Sequence, residues 1–388
     1  MSEWQELTLG EITEPVKNTY LPKSDEQLAY IGLEHIEQET LRLTGIGKSS
    51  DVTSNKFKFE VNDVLFGKLR PYFRKVYKPK FSGICSTDIW VFRAKKGFVQ
   101  DFLFYFLASW DFVDTANSGE GGTRMPRADW NFLKTTSWLV PCEDEQKAIA
   151  SVLSSLDDKI DLLHRQNTTL ERMAETLFRQ WFVEEAREDW EECTLDDLIS
   201  VKGGTTPSTK EPSFWNGNIN WTSPRDLSNQ QSVFMFDTER KITEKGLAQI
   251  GSGLLPVGTV LMSSRAPIGY LAISEIPVAI NQGYIAIVCD KLVSNYFMYL
   301  WCKVNMEQIK NAGNGSTFEE ISKSNFKALA TLKPSKETIS KFDVSAKSIF
   351  AKIKTNQKQI QTLEKLRDNL LPKLMSGEIR VEIEGASE

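Results

Sequence analysis

The densest group of side chains able to hold an anion is Lys68-Leu-Arg70-Pro-Tyr72-Phe-Arg74-Lys75, with Thr87 beyond the next turn. Lys and Arg neutralise phosphates, an Arg directed into a major groove bonds two acceptors on guanine, and Tyr72 offers an aromatic face to sugar or base. Arg124 and Arg127 follow a Gly121-Gly122 turn and add two cations. A second group has different chemistry: Lys202, Thr205, Thr206, Arg225, Ser263, Ser264, Arg265, Asn281, Gln282 and Thr317. Asn and Gln amides bond adenine through two contacts, while Ser and Thr hydroxyls serve phosphate or base edges. Ordinary turns and solvated strand edges use the same residue types, so neither group decides the matter alone.

Catalytic chemistry is poorly supplied. His35 and His164 are the only histidines, which argues against a histidine-based metal site or triad. The five cysteines, Cys85, Cys142, Cys193, Cys289 and Cys302, are scattered without a C-x-x-C pair. No Pro-Pro dipeptide occurs, hence no Asn/Asp-Pro-Pro-Tyr/Phe motif of amino-methyltransferases, and no nuclease carboxylate cluster is evident. Gly45-Ile-Gly47-Lys48-Ser49 ends like a phosphate loop, but Arg42 stands where its first glycine belongs. No metal or cofactor is expected on this chain. No apolar run approaches the roughly 20 residues of a membrane span, and the start lacks a basic segment followed by an apolar one, so a soluble cytoplasmic protein is expected.

The net charge of -5 looks wrong for a protein that binds DNA until it is resolved along the chain. Lys56 to Lys80 carries a local balance of +6, Glu143 to Glu192 one of -8, and Lys336 to Arg380 one of +5. Screening over about 8 Å makes the local field the relevant quantity. The acidic stretch must face something other than DNA.

The elements that would position these groups come in two copies. Trp4-Gln-Glu-Leu-Thr-Leu9 returns as Trp190-Glu-Glu-Cys-Thr-Leu195, each followed by a stretch suited to a short helix. Val64-Leu-Phe-Gly-Lys-Leu-Arg-Pro71 returns as Val260-Leu-Met-Ser-Ser-Arg-Ala-Pro267, an apolar strand running into a polar turn. Gly121-Gly-Thr123 matches Gly315-Ser-Thr317, Phe132 matches Phe326, and Pro141 and Pro334 each precede a long helical pattern.

The first helical pattern opens on Glu143, Asp144 and Glu145 and carries Ile149, Val152, Leu156, Ile160, Leu163, Leu170, Leu177 and Trp181 at helical spacing. Asn167 falls on that seam, either as a buried register-setting amide or as an exposed residue on a bent helix. The second carries Phe342, Ile349, Ile353, Ile360, Leu363, Leu370 and Leu374 and is expected to end or kink near Pro372. The acidic and basic helices are expected to pair antiparallel, as a rod of roughly 60 Å at about 1.5 Å per residue. The apolar seam would hold them together and the charges would select the partner.

Leu65-Phe-Gly-Lys-Leu-Arg-Pro-Tyr72, Gly83-Ile-Cys-Ser-Thr-Asp88, Leu177-Phe-Arg-Gln-Trp-Phe182, Gly204-Thr-Thr-Pro-Ser208, Ile280-Asn-Gln-Gly283 and Leu370-Leu-Pro-Lys-Leu-Met-Ser-Gly377, in this order, resemble the specificity subunit of type I restriction-modification systems. The resemblance covers nearly the whole chain. It implies an α+β protein: two globular α/β-mixed target-recognition domains in a pseudo-two-fold arrangement, separated by two long antiparallel coiled-coil-like helices. The corresponding boundaries are 1–141 and 187–334 for the domains, 142–186 and 335–378 for the helices, and 379–388 for a tail.

It further implies a non-catalytic subunit of a prokaryotic defence complex that reads a bipartite, asymmetric site in double-stranded DNA. Two methyltransferase subunits and restriction-motor subunits would be its partners. S-adenosylmethionine, ATP and magnesium would then belong to those partners, which methylate adenine N6 or cleave. Leu177, Phe178, Trp181, Phe182, Leu370, Leu371 and Leu374 resemble the surface that docks them, with helix-pair core an equal reading for the leucines. Two departures stand out: Glu145-Gln146 fits the family's helix opening whereas Lys336-Glu-Thr-Ile339 does not, and the first half lacks a counterpart of Gly204-Thr-Thr-Pro207. An interaction scaffold without sequence reading is the alternative.

Overall fold

The computed structural model describes residues 4–23, 25–118, 125–228, 232–314 and 319–381. It divides into two compact units, Met1–Ile160 with Thr362–Glu388, and Asp161–Gln361. The boundaries fall inside the long helices, not at their ends, so each unit contains a stretch of both.

The first unit is built on an antiparallel sheet in the order Thr13–Pro15, Ile89–Ala94, Val64–Gly67, Val76–Tyr77. Val64–Gly67 is buried throughout, as expected for an apolar run in mid-sheet. Its core gathers Phe66, Phe92, Phe106 and Phe112 beneath the helices Gln100–Ala108 and Trp110–Ser118. A second sheet runs Thr19–Tyr20, Lys56–Phe59, Gly83–Cys85, Ala29–Ile31, Gly47–Lys48.

The second unit repeats this frame. Its five-stranded sheet runs Ser200–Lys202, Tyr284–Val288, Val260–Ser263, Leu271–Ser274, Phe234–Met235. A three-stranded sheet places Trp215–Thr222 between Arg240–Ile242, antiparallel, and Ala279–Ile280, parallel. Ala29–Ile31 has the same two kinds of neighbour, Gly47–Lys48 antiparallel and Gly83–Cys85 parallel. The repeat extends to caps. Thr8 donates its amide and hydroxyl to Glu11, both at 2.7 Å, and opens the helix Leu9–Ile12. Thr194 does the same with Asp197, at 2.8 and 2.9 Å, ahead of Leu195–Leu198.

The long helices span Glu143–Arg179, continued by a wider turn over Gln180–Glu184, and Lys336–Met375. Within the second unit they run antiparallel: Asn167 meets Asn356, while Phe178 and Phe182 meet Phe342. Within the first unit the direction is the same, with Asp157 against Arg367 and Glu145 against Arg380. The second helix ends near Pro372 as expected, at Met375, with the proline itself still inside the helix. Pro372 lies in the last turn, so it interrupts little of the ladder, and the helix closes on Gly377 at φ +75 with Ile379 N–H donating to Lys373 O at 3.0 Å.

Charge plays a smaller part in the helix pairing than the composition of the two segments implies. Glu171 bonds Lys303 and Lys354 bonds Glu275, both off the helix pair. Arg367, 2% exposed, does join the two helices, donating to Asp157 at 2.8 Å beside the Tyr105 hydroxyl, and Arg380 just past the second helix pairs with Glu145.

Asn167 resolves to the buried reading. Its Oδ1 accepts Asn356 Nδ2 at 2.9 Å inside a seam of Leu163, Ala174, Phe342, Ala346 and Ile353. Asn356→Leu, which strips the buried Asn167 carbonyl of its donor, is expected to cost about 1–3 kcal/mol. Replacing both by Leu removes the orphan and is expected to recover most of that loss; urea unfolding of the three proteins measures it, and an unaltered midpoint in the single variant would contradict the role of the pair.

Candidate nucleic-acid interface

In the first unit three segments are fastened together at one end of the strand Val64–Gly67. Lys68 N–H donates to Asp88 O at 2.9 Å, Ala128 N–H donates to Lys68 O at 2.9 Å, and Arg70 N–H donates to Pro126 O at 2.8 Å. The clasp gathers Lys68, Arg70, Tyr72, Thr87 and Arg127. The Arg127 guanidinium reaches Asp88 at 3.1 Å. Burial pulls the Lys68 ammonium below its usual pKa, with Asp88 opposing the shift. Tyr72 is 40% exposed, and Thr87 and Arg127 are exposed.

In the second unit the strand Val260–Ser263 ends in the same clasp. Ser264 N–H donates to Gly283 O at 2.8 Å, and Ile321 N–H donates to Ser264 O at 3.0 Å. Asn281 N–H donates to Thr222 O just as Ser86 N–H donates to Ile31 O. Gln282 and Thr87 therefore stand at equivalent tips of one turn. Arg70 and Ala266, each before a proline, share a left-handed backbone at φ 53 and φ 52, a conformation rare outside glycine. The side chains on this common frame differ. Leu69 bridges Arg127 in the first unit, whereas Arg265 bridges Glu320 in the second, with its guanidinium 3.8 Å from the carboxylate.

A further loop joins the second cluster. Thr205 N–H donates to Ile280 O at 3.0 Å, and the Thr206 hydroxyl donates to Gln282 Oε1 at 2.7 Å. Gly204 is required here, since a Cβ would lie 1.8 Å from Ile280 O. Thr205, Gln282, Lys202 and Arg225 are exposed, while Asn281 spends its Oδ1 on Gly283 N–H.

Several sequence expectations need correction. Arg74 is 2% exposed and donates to Ala108 O at 2.6 Å and Glu39 O at 3.3 Å, with Asp368 3.6 Å away. The turn Pro71–Phe73, left-handed at both flanking residues, swings it inward. Lys75 bonds Leu33 O and is half-buried. Ser263 and Ser264 are buried, with the Ser263 hydroxyl given to Pro267 O. Arg74, Ser263 and Ser264 are thus withdrawn from the surface, while Lys75 stays partly exposed with its ammonium tied to Leu33 O. Arg124 and Thr317, with the Gly121–Thr123 and Gly315–Ser316 turns, lie outside the described residues.

The expected docking patches are core. Phe178, Phe182, Leu371 and Leu374 are buried, and Leu177, Trp181 and Leu370 pack half-buried against the same clusters. Glu145 and Gln146 are also consumed internally: Glu145 takes Arg380 and the Trp4 indole, and Gln146 bonds Val99 N and Pro141 O. Sequence reasoning missed Glu320, whose charge stands where Arg127 stands in the other half. Extending the repeat past the Gly-Thr turns would have exposed that reversal.

A sequence profile described as the type I restriction modification DNA specificity domain matches residues 1–172 and again 187–369. The chain is 37% identical over 194 residues to the type I restriction enzyme MjaIX specificity subunit of Methanocaldococcus jannaschii, an alignment covering 50% of this chain and 45% of that one. It is 23% identical to the HindI specificity subunit of Haemophilus influenzae, covering 98% of this chain and 100% of the relative. A solved type I restriction-modification S subunit from M. genitalium has the same fold, with a TM-score of 0.58 at 17% identity over 96% of both chains.

The burial contrast within one short segment is testable. Arg74→Ala is expected to cost about 3 kcal/mol by leaving Ala108 O and Glu39 O without their donor and emptying a buried site, while Tyr72→Ala changes stability by less than about 0.5 kcal/mol. Thermal unfolding of the two variants separates them, and equal melting temperatures would contradict the assignment.

Proposed function

Because the chain belongs to the type I restriction modification DNA specificity domain family, with one match in each half, we propose that each unit reads one part of a bipartite, asymmetric DNA target. The chain is the sequence-recognition subunit of a type I restriction-modification system and works in a complex with its other subunits and DNA. The observation that carries the reading is the repeated clasp: one backbone frame, fixed by equivalent hydrogen bonds after Val64–Gly67 and Val260–Ser263, presents different side chains in each unit.

The first unit offers Lys68, Arg70, Tyr72, Thr87 and Arg127, a cationic set suited to phosphate and to guanine acceptors. The second offers Thr205, Thr206, Gln282, Lys202 and Arg225, richer in neutral polar groups. Arg265, 3.8 Å from Glu320, and Arg127, 3.1 Å from Asp88, are each partly neutralised. Two unlike sets on like frames call for two unlike half-sites.

Methylation of adenine N6 and cleavage then fall to partner subunits, two methyltransferase chains and restriction-motor chains, which supply S-adenosylmethionine, ATP and magnesium. Among the described residues no group of three or more His, Cys, Asp or Glu could hold a metal ion.

The complex with its methyltransferase partner is expected to bind one split duplex sequence with steep dependence on salt. Gln282→Ala is expected to cost about 1–3 kcal/mol of discrimination in one half-site and leave the other unchanged. Binding of the wild-type and variant complexes to duplexes substituted at each position reads this directly. Equal loss in both halves would contradict independent reading, and sequence-blind binding by the wild type would favour a scaffold.

A further inference from the structure

In the second unit an arginine outside the clasp is built into a rigid aromatic corner. Trp215 and Trp221, 7% and 4% exposed, meet edge to face at 5.1 Å and 88°. The Arg240 guanidinium lies 3.5 Å above the Trp215 ring and 5.6 Å from the Trp221 ring. Arg240 stands directly across the ladder from Trp221, and its carbonyl accepts the Thr238 hydroxyl at 2.9 Å. The side chain is thus held on one face by stacking and at its root by the sheet.

Its charge is not spent. No carboxylate lies within ion-pair distance of Arg240 among the described residues, and the nearby Asp237 is taken by Lys241 at 2.6 Å. A stacked guanidinium keeps its N–H edges available while losing most of its conformational freedom, so ordering it at a ligand costs little more. The corner is also fastened to the reading loops. The Trp221 indole donates to Thr205 O at 3.4 Å, the Trp215 indole donates to Ser208 O at 3.0 Å, and Thr222, next to Trp221, accepts the Asn281 amide. In the first unit Tyr30 faces Gly47 across the ladder, and the cation over its ring is Lys56, at 5.8 Å, which is buried and donates to Ser54.

We infer that Arg240, stacked in the Trp215–Trp221 corner, binds a backbone phosphate of the DNA on the flank of the second unit's reading loops. This rests on the DNA-reading function proposed above and adds a residue to it. The corner gives the second unit a fixed cation, where Arg265 is occupied by Glu320. A phosphate is favoured over a base because Arg240 lies on a strand beside the loops, not on a turn tip such as that of Gln282.

The test is DNA binding by the complex with its methyltransferase partner, using the cognate duplex and single-position substitutions over a range of salt. Binding of the wild-type complex to the cognate duplex establishes the underlying reading before any variant is compared. Arg240→Ala is expected to weaken binding about tenfold on cognate and substituted duplexes alike, and to lower the slope of log affinity against log salt by about 1. Arg240→Lys, which keeps the charge without the planar stack, is expected to retain the slope and lose about threefold in affinity. Unchanged affinity in Arg240→Ala would overturn the inference. So would loss of discrimination at one base pair with the slope intact, which would make Arg240 a base reader. Matching wild-type and variant melting temperatures separate a lost contact from a lost fold.

Discussion

Neither core in this protein can close without chain from both halves of the sequence. The antiparallel run of the long helices puts Leu371 and Leu374 among the aromatic residues of the first unit, next to Ile149 and Leu153. It puts Ala174, Phe178 and Phe182 beside Phe342 and Phe350 in the second. Each such leucine or phenylalanine contributes roughly 1.5–3 kcal/mol on burial, so the borrowed residues amount to a sizeable fraction of a domain's net stability. The polar contacts at these places, Arg367 with Asp157 and Asn167 with Asn356, add direction and register to an attachment that apolar burial supplies.

The division between frame and variable surface follows from what the backbone can do by itself. The clasp is made of main-chain donors and acceptors, Lys68 to Asp88 and Ala128 in one unit and Ser264 to Gly283 and Ile321 in the other. Side chains at those positions are free to differ without loosening the loop. Leu69 with Arg127 becomes Arg265 with Glu320, and Thr87 becomes Gln282, on unchanged geometry. A recognition protein needs that separation, because its target can then change while its fold does not.

The duplication, the strand-to-turn motifs and the two long helices were legible in the sequence because each rests on periodicity or on a short ordered string. The fate of individual cations was not. Lys68, Arg70, Tyr72 and Arg74 stand in one basic-aromatic string, yet Arg74 turns inward at the Pro71–Phe73 turn to partners at Ala108, Glu39 and Asp368. Nothing local announces partners so far away in the chain. The apolar clusters near Phe178 and Leu371 looked like a surface for the same reason: a half-buried stripe on a long helix does not reveal what covers it. Arg240 went unnoticed because its significance lies in Trp215 and Trp221, which only the sheet brings beside it.

The placement of Thr362–Glu388 with the first unit has a consequence for how the chain matures on the ribosome. After Ile160 emerges, about 200 residues must be made before the segment bearing Arg367, Leu371 and Leu374 follows, a delay of roughly 10–40 s at bacterial elongation rates. When that segment emerges, Asp161–Gln361 has every residue of its own core, whereas Ile149 and Leu153 have until then lacked Leu371 and Leu374. The unit whose synthesis begins first is thus the unit whose core is completed last.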